Sequence, residues 1–183
     1  METETLDRLV DENLVLLEQT ETLLAAISVD QYRSEHPHLG CRSIGEHVRH
    51  IADHYACFLQ DWSMIDYDQR ERNIEVGRCP RAGGRRIAAI RARLQDQMRF
   101  MGDAVNPVAI THRPDAARRH REVIVRSSMG RELTFLANHT LHHMAIIAIV
   151  SRMLGLVPSE DFGVAKSTWD YWGAQQQIPN AAN

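Results

Sequence analysis

Two histidines four residues apart, His139 and His143, lie in the middle of an otherwise apolar helical stripe, and that placement limits the folds open to this 183-residue chain. A helix turns about 100° per residue, which puts both on the face made by Phe135, Leu136, Ile146, Ile147 and Val150. Positions i and i+4 stand one above the other, so both imidazoles are expected to look into the protein. A buried ring nitrogen without a partner costs free energy. Each ring can bond to a carbonyl or a water, as a lone buried histidine usually does, or both can bind one metal ion. The spacing leaves the two outcomes open. Neutral imidazole suits zinc, nickel, copper or iron, and an i, i+4 pair is a common two-ligand platform.

Other segments supply helices to pack around this one. From Glu4 to Ile27, Leu6, Leu9, Val10, Leu14, Leu17, Leu24 and Ile27 recur mostly at three- and four-residue steps, the pattern of an amphipathic helix. Asp30 to Arg42, with Pro37 and Gly40, reads as a connection. Ser43 with Glu46 three residues on is a capping box that opens a second helix. Its stripe is Ile44, Val48, Ile51, Tyr55 and Phe58, ending near Trp62 to Ile65. The charged stretch 66–80, with Gly77 and Pro80, is expected to cross to a third helix over Arg85 to Asp103. That helix carries Ile87, Ile90, Leu94, Met98 and Met101 on its apolar face, with Gly102 and Pro107 at its end. Val108 to Ile110 and Val123 to Val125 alternate around a Pro-Asp turn signal, which predicts a small hairpin. Ser127 and Ser128 offer caps for the long histidine-bearing helix, which Gly155 and Pro158 stop near Leu154. The tail, with Phe162, Trp169, Tyr171 and Trp172, is expected to pack its rings on the bundle. The sum is an all-α chain, one four-helix bundle domain over residues 1–183.

A hydrophobic content of 44% suffices for such a core, since a chain of this length buries roughly 70% of its unfolded surface. Cys41, Cys57 and Cys79 are odd in number and form no CxxC pair, which argues against a disulfide framework and a cysteine zinc site. The N-terminus is acidic where a signal peptide would be basic, and no apolar run approaches the roughly 18 residues that a membrane span requires. A cytoplasmic protein without membrane contact is expected. The net charge of −3 gives no global attraction to nucleic acid, and the arginines from Arg78 to Arg93 read as a solvated helix face. An aromatic tail and exposed helix stripes also suit a homodimer.

Ten histidines is a high count, and six of them fall within 47–54 and 139–143. His47, His50 and His54 occupy one wedge of the second helix. Periodicity does not choose among them: His47 and His54 border the apolar stripe and His50 lies slightly farther round.

The segment Ser43-Ile-Gly-Glu-His-Val-Arg-His50-Ile-Ala-Asp-His resembles the second helix of the DinB-like superfamily, and Arg131-Glu-Leu-Thr-Phe-Leu-Ala-Asn-His139-Thr-Leu-His-His143 is similar to its fourth-helix motif. Pro158 to Thr168 also has a family look. The resemblance implies an up-down-down-up bundle in which His50, His139 and His143 hold one divalent metal ion, zinc, nickel or iron, with coordination positions left for water. It further implies an enzyme acting on a small molecule by hydrolysis or by transfer of a low-molecular-weight thiol, or else a non-catalytic metal-binding or stress-associated protein. His47, His54, Glu46 and His142 then become candidates for partners of the ligands or for a general base. The run from Asp66 to Arg72 reads most simply as a surface salt-bridge cluster, although its arginines could line the metal's mouth and hold an acidic group. Cys57 reads as a buried structural thiol. An ordinary histidine pKa of about 6.5 predicts that protons begin to compete with the metal just below pH 7.

Overall fold

The computed structural model describes residues 2–35, 42–99, 107–112 and 123–176. In chain order the elements are α1 (Glu2–Ala26), α2 (Val29–Arg33), α3 (Ile44–Gln60), β1 (Ile65–Asp66), α4 (Ile74–Arg78), α5 (Pro80–Arg99), β2 (Pro107–His112), β3 (Val123–Ser128), α6 (Met129–Met153) and α7 (Lys166–Gln176). The long helices α1, α3, α5 and α6 form a four-helix bundle in which α1 and α3 each pack on both α5 and α6.

Contacts along the helices give their directions. Arg91 of α5 pairs with Glu18 and Glu21 of α1, while Gly83 lies beside Leu24, so α1 and α5 are antiparallel. Gly130 lies against Leu9, Asn13 bonds to the Leu133 carbonyl, and Gln31 beyond α1 bonds to the Leu154 carbonyl, so α1 and α6 are parallel. Arg93 near the end of α5 reaches the Leu59 carbonyl near the end of α3, whereas Gly45 at the start of α3 touches Gly77 just before α5. The topology is up-down-down-up.

The caps explain where the helices start. Ser43 Oγ accepts from the Glu46 N–H at 3.2 Å and Glu46 Oε2 accepts from the Ser43 N–H at 3.2 Å, which satisfies two amides that the first turn would leave unpaired. Ser128 caps α6 through the Arg131 N–H, and Gly155, at φ +75°, takes the left-handed position just past its end. Ser28 with Gln31 forms a second capping box, which makes the short α2 out of part of the expected connection; the Pro37 and Gly40 positions lie outside the described residues. Pro80 opens α5 five residues before its expected start. Its missing N–H costs nothing in a first turn. The expected end of that helix at Met101 to Asp103 lies outside the described residues.

The two alternating segments are strands, with Ile110 opposite Val125 in an antiparallel pairing, and β1 adds to β2 in parallel; the Pro-Asp signal between β2 and β3 lies outside the described residues. Two expectations need correction. Phe162 is buried in the core, but Trp169, Tyr171 and Trp172 are 40%, 60% and 45% exposed, so the aromatic tail does not pack its rings away. Secondly, α6 is long and apolar enough to cross a membrane by length and composition. Its polar residues, among them Arg131-Glu132, Asn138-His139-Thr140 and His142-His143, break the apolar positions into short runs, so no unbroken run reveals this, and half of its most apolar window is buried inside the bundle.

Close approach at one glycine sets how the loop after α3 meets that helix. A Cβ on Gly45 would lie 2.1 Å from the Gly77 carbonyl oxygen and 2.7 Å from the Tyr32 ring, and Tyr32 Oη itself donates to the Val76 carbonyl at 2.7 Å. Backbone cannot yield as a side-chain tip can. Overpacking costs about 1–3 kcal/mol, so Gly45→Ala should lower the thermal midpoint by roughly 2–12 °C; an unchanged midpoint would show that α4 moves freely.

Candidate metal centre

Antiparallel packing sets α3 against α6, and a buried polar chain fixes the register between them. Thr140 Oγ1 donates to Tyr55 Oη at 3.3 Å, Tyr55 Oη donates to Asn13 Oδ1 at 2.6 Å, and Asn13 Nδ2 donates to the Leu9 and Leu133 carbonyls at 2.7 and 3.1 Å. Tyr55 and Asn13 are fully buried. Buried polar groups are costly unless all are bonded, so a slip of either helix is penalised. Tyr55 follows His54 and Thr140 follows His139 in sequence, so the same chain of bonds aligns the histidines.

The result is a cluster of imidazoles. His50, His139 and His143 each offer a ring nitrogen, and these three atoms lie within 4.8 Å of one another. The ring centroids are 4.9 Å apart for His50 and His139, 4.5 Å for His50 and His143, and 4.7 Å for His139 and His143. Nε2 of His143 is 2.9 Å from Nε2 of His139. Three convergent neutral nitrogen donors match the ligand set of a divalent transition metal.

Burial, followed by repulsion among the protonated forms, pushes His50 down to about 2, His143 to about 3 and His139 to about 4. At neutral pH all three are therefore uncharged, the form that ligates metal.

The surrounding candidates take separate positions. His47 Nδ1 lies 3.0 Å from His143 Nδ1. His54 is buried, and its Nδ1 donates to the His50 carbonyl at 2.8 Å, an assignment that follows because a carbonyl can only accept. The His54 ring is 4.1 Å from that of His139, centroid to centroid. Burial lowers the pKa of both His47 and His54. Glu46 stands apart from the rings, its carboxylate held by the α3 cap and by ion pairs to Arg42 at 3.4 Å and Arg49 at 3.9 Å. His142 is exposed.

Glu132 was not singled out by the sequence, and Tyr67 and Arg70 were read only as parts of the Asp66 to Arg72 run. Tyr67 stacks on His54 at 5.5 Å and donates at 2.8 Å to Glu132, a fully buried carboxylate that also accepts from Ser127 and Arg131. A glutamate beside arginine in a first helical turn carries no mark of burial. Arg70 turns inward: its Nη1 donates to His50 Nδ1 at 3.0 Å. With Arg42, Arg49, Arg72, Glu46 and Asp53 it walls a cleft of 410 Å³ whose floor includes His47, His50 and His143. The Asp66 to Arg72 run is thus partly a wall of the site, while Glu71 keeps the expected surface role, paired with Arg86 at 3.0 Å. Cys57 is buried and its thiol is pushed up to about 11, which makes it an inert packing group.

Fold and site together define a class, the four-helix bundles of up-down-down-up topology that gather histidines between their second and fourth long helices. The sequence profile of the DinB superfamily matches residues 15–147, and the chain belongs to that superfamily. The structure is similar to that of YfiT from Bacillus subtilis, described as a probable metal-dependent hydrolase with an unusual four-helix bundle topology, at a TM-score of 0.59 and 16% identity over 82% of this chain and 88% of that one. Over 106 residues the sequence is 32% identical to FK506-binding protein 5 of Rhizopus delemar, covering 58% of this chain but only 27% of that protein.

Proposed function

We propose that the protein is a divalent-metal-dependent enzyme acting on a small molecule, by hydrolysis or by thiol transfer, with His50, His139 and His143 as the metal ligands. The observation that carries this reading is the convergence of three uncharged imidazoles, two of which, His50 and His143, lie at the floor of an accessible cleft. A divalent ion supplies Lewis acidity, polarising a carbonyl and lowering the pKa of water or a thiol. The chain's own residues orient and relay. If His143 gives Nε2 to the metal, its hydrogen sits on Nδ1, and His47 Nδ1, 3.0 Å away, accepts it and holds the ring. His54, whose Nδ1 hydrogen is committed to the His50 carbonyl, keeps Nε2 as an acceptor beside His139, and His47, which lines the cleft, is the candidate general base. Tyr67 and the buried Glu132 keep the His54 ring in place. Hydrolysis is the leading reaction because the structurally similar YfiT is described as a probable hydrolase.

The test compares zinc-loaded, metal-free and His143→Ala proteins on aryl amides and esters, and on the coupling of cysteine to 1-chloro-2,4-dinitrobenzene. Turnover by the loaded protein should exceed the other two by about 10²-fold or more, since Lewis-acid stabilisation is worth several kcal/mol. Equal rates in all three, with zinc bound, would leave a non-catalytic metal protein instead.

A further inference from the structure

We infer that the cleft beside the histidines is an oxyanion site, in which Arg70, supported by Arg49 and Arg72, holds a carboxylate or phosphate group of a small molecule; calling that molecule the substrate rests on the function proposed above. Four arginines and two acids wall the cleft, which with neutral histidines leaves a net charge of 4 − 2 = +2. The acids are themselves occupied. Glu46 caps α3 and pairs with Arg42 and Arg49, and buried Asp53 accepts from the backbone N–H of Arg72, so it clamps the loop that carries the arginines.

Two features of that loop bear on what it binds. Arg72 is held at φ 52°, a left-handed conformation that is strained for a side-chain-bearing residue and clusters at functional sites. Arg70 Nε is buried and has no hydrogen-bond partner among the described residues. A guanidinium donor removed from water and left unpaired is costly. Once the guanidinium turns toward the cleft, a bidentate oxyanion would take this nitrogen together with a terminal one.

The bond from Arg70 Nη1 to His50 Nδ1 makes the coupling between metal and anion explicit. A neutral imidazole has a single acceptor nitrogen. If His50 gives either nitrogen to a metal, its hydrogen resides on the other, and no acceptor remains for Arg70. Metal loading therefore releases the guanidinium toward the cleft, and oxyanion affinity should rise when the metal is bound. The cleft's 410 Å³ falls within the roughly 300–1,000 Å³ of small-molecule pockets.

Calorimetric titration with succinate and with inorganic phosphate, at pH 8 and constant ionic strength, tests this on zinc-loaded and metal-free full-length protein, with zinc content measured in parallel. At least one anion should bind the loaded wild type, and about 10-fold more weakly the metal-free form. Arg70→Gln should lose about 10- to 100-fold with zinc still bound, the range of a charged hydrogen bond at 1.5–3 kcal/mol, and Arg70→Lys should lie between. Whichever anion binds more tightly identifies the group. Arg72→Gln, at an exposed position, gives a second variant should Arg70→Gln not fold, and should weaken binding several-fold. Loss of neither affinity in these variants, or no binding of either anion by zinc-loaded protein, overturns the inference. Anion binding to Arg70 in a protein that takes up no zinc would instead overturn the metal reading and leave the oxyanion site standing.

Discussion

Zinc-loaded protein should unfold roughly 8–16 °C above chelator-treated protein at pH 8 when free zinc is about 1,000 times its Kd. Binding to the native state alone then contributes about 4 kcal/mol, and a chain of this size shifts by about 2–4 °C per kcal/mol. The response to acid follows from the rings. Their folded values of about 2, 3 and 4 for His50, His143 and His139 lie below the ~6.5 of an unfolded histidine. As pH falls, the unfolded chain therefore takes up protons first. The stability these neutral rings confer is complete above about pH 6.5 and declines as pH drops toward 4 and below, in both forms of the protein. Protons compete with zinc on the folded chain only where the folded rings titrate. The gap between the two midpoints should consequently persist to about pH 5 while both decline, rather than close from pH 7 as an ordinary histidine pKa predicts. Thermal melts of both forms from pH 8 to pH 4 provide the check. A gap that closes between pH 7 and pH 6 would mean that the rings titrate as solvated groups.

Substitution within α3 should separate a ligand from its neighbours. His50→Ala removes one of three convergent nitrogens and should weaken zinc binding by well over ~100-fold, beyond the ~10- to 100-fold expected when a partner of a ligand is lost. His47→Ala, which deprives His143 of its 3.0 Å neighbour, should fall within that smaller range, as should His54→Ala. Competition against a chromophoric chelator measures all three. Retention of tight binding by His50→Ala together with its loss in His47→Ala would mean that a different α3 histidine completes the site.

The helical framework was legible because it is written locally. Ser43 and Glu46 close the expected capping box, Ser128 caps the last long helix, and Ile44, Val48, Ile51, Tyr55 and Phe58 are all fully buried. The inward direction of His139 and His143 followed from the stripe they interrupt. Which α3 histidine meets them did not, because that depends on the register between two helices distant in sequence, set by Asn13, Tyr55 and Thr140. The helical wheel ranked His50 behind His47 and His54, and the family resemblance selected it. Arg70 was harder still. Its direction depends on a left-handed residue and on a carboxylate from another element, Arg72 and Asp53, and neither leaves a periodic trace. Pro80 was read as part of the crossing to the third helix, although in a first turn the same residue initiates a helix.

Elemental analysis of protein produced without a histidine tag, reconstituted with zinc and freed of excess, is the most direct measurement of the three-histidine site. The account predicts close to one zinc ion per chain in the wild type and almost none when His50, His139 and His143 are all replaced by alanine. Wild-type protein that remains largely metal-free, or a triple variant that still carries a full equivalent, would contradict it.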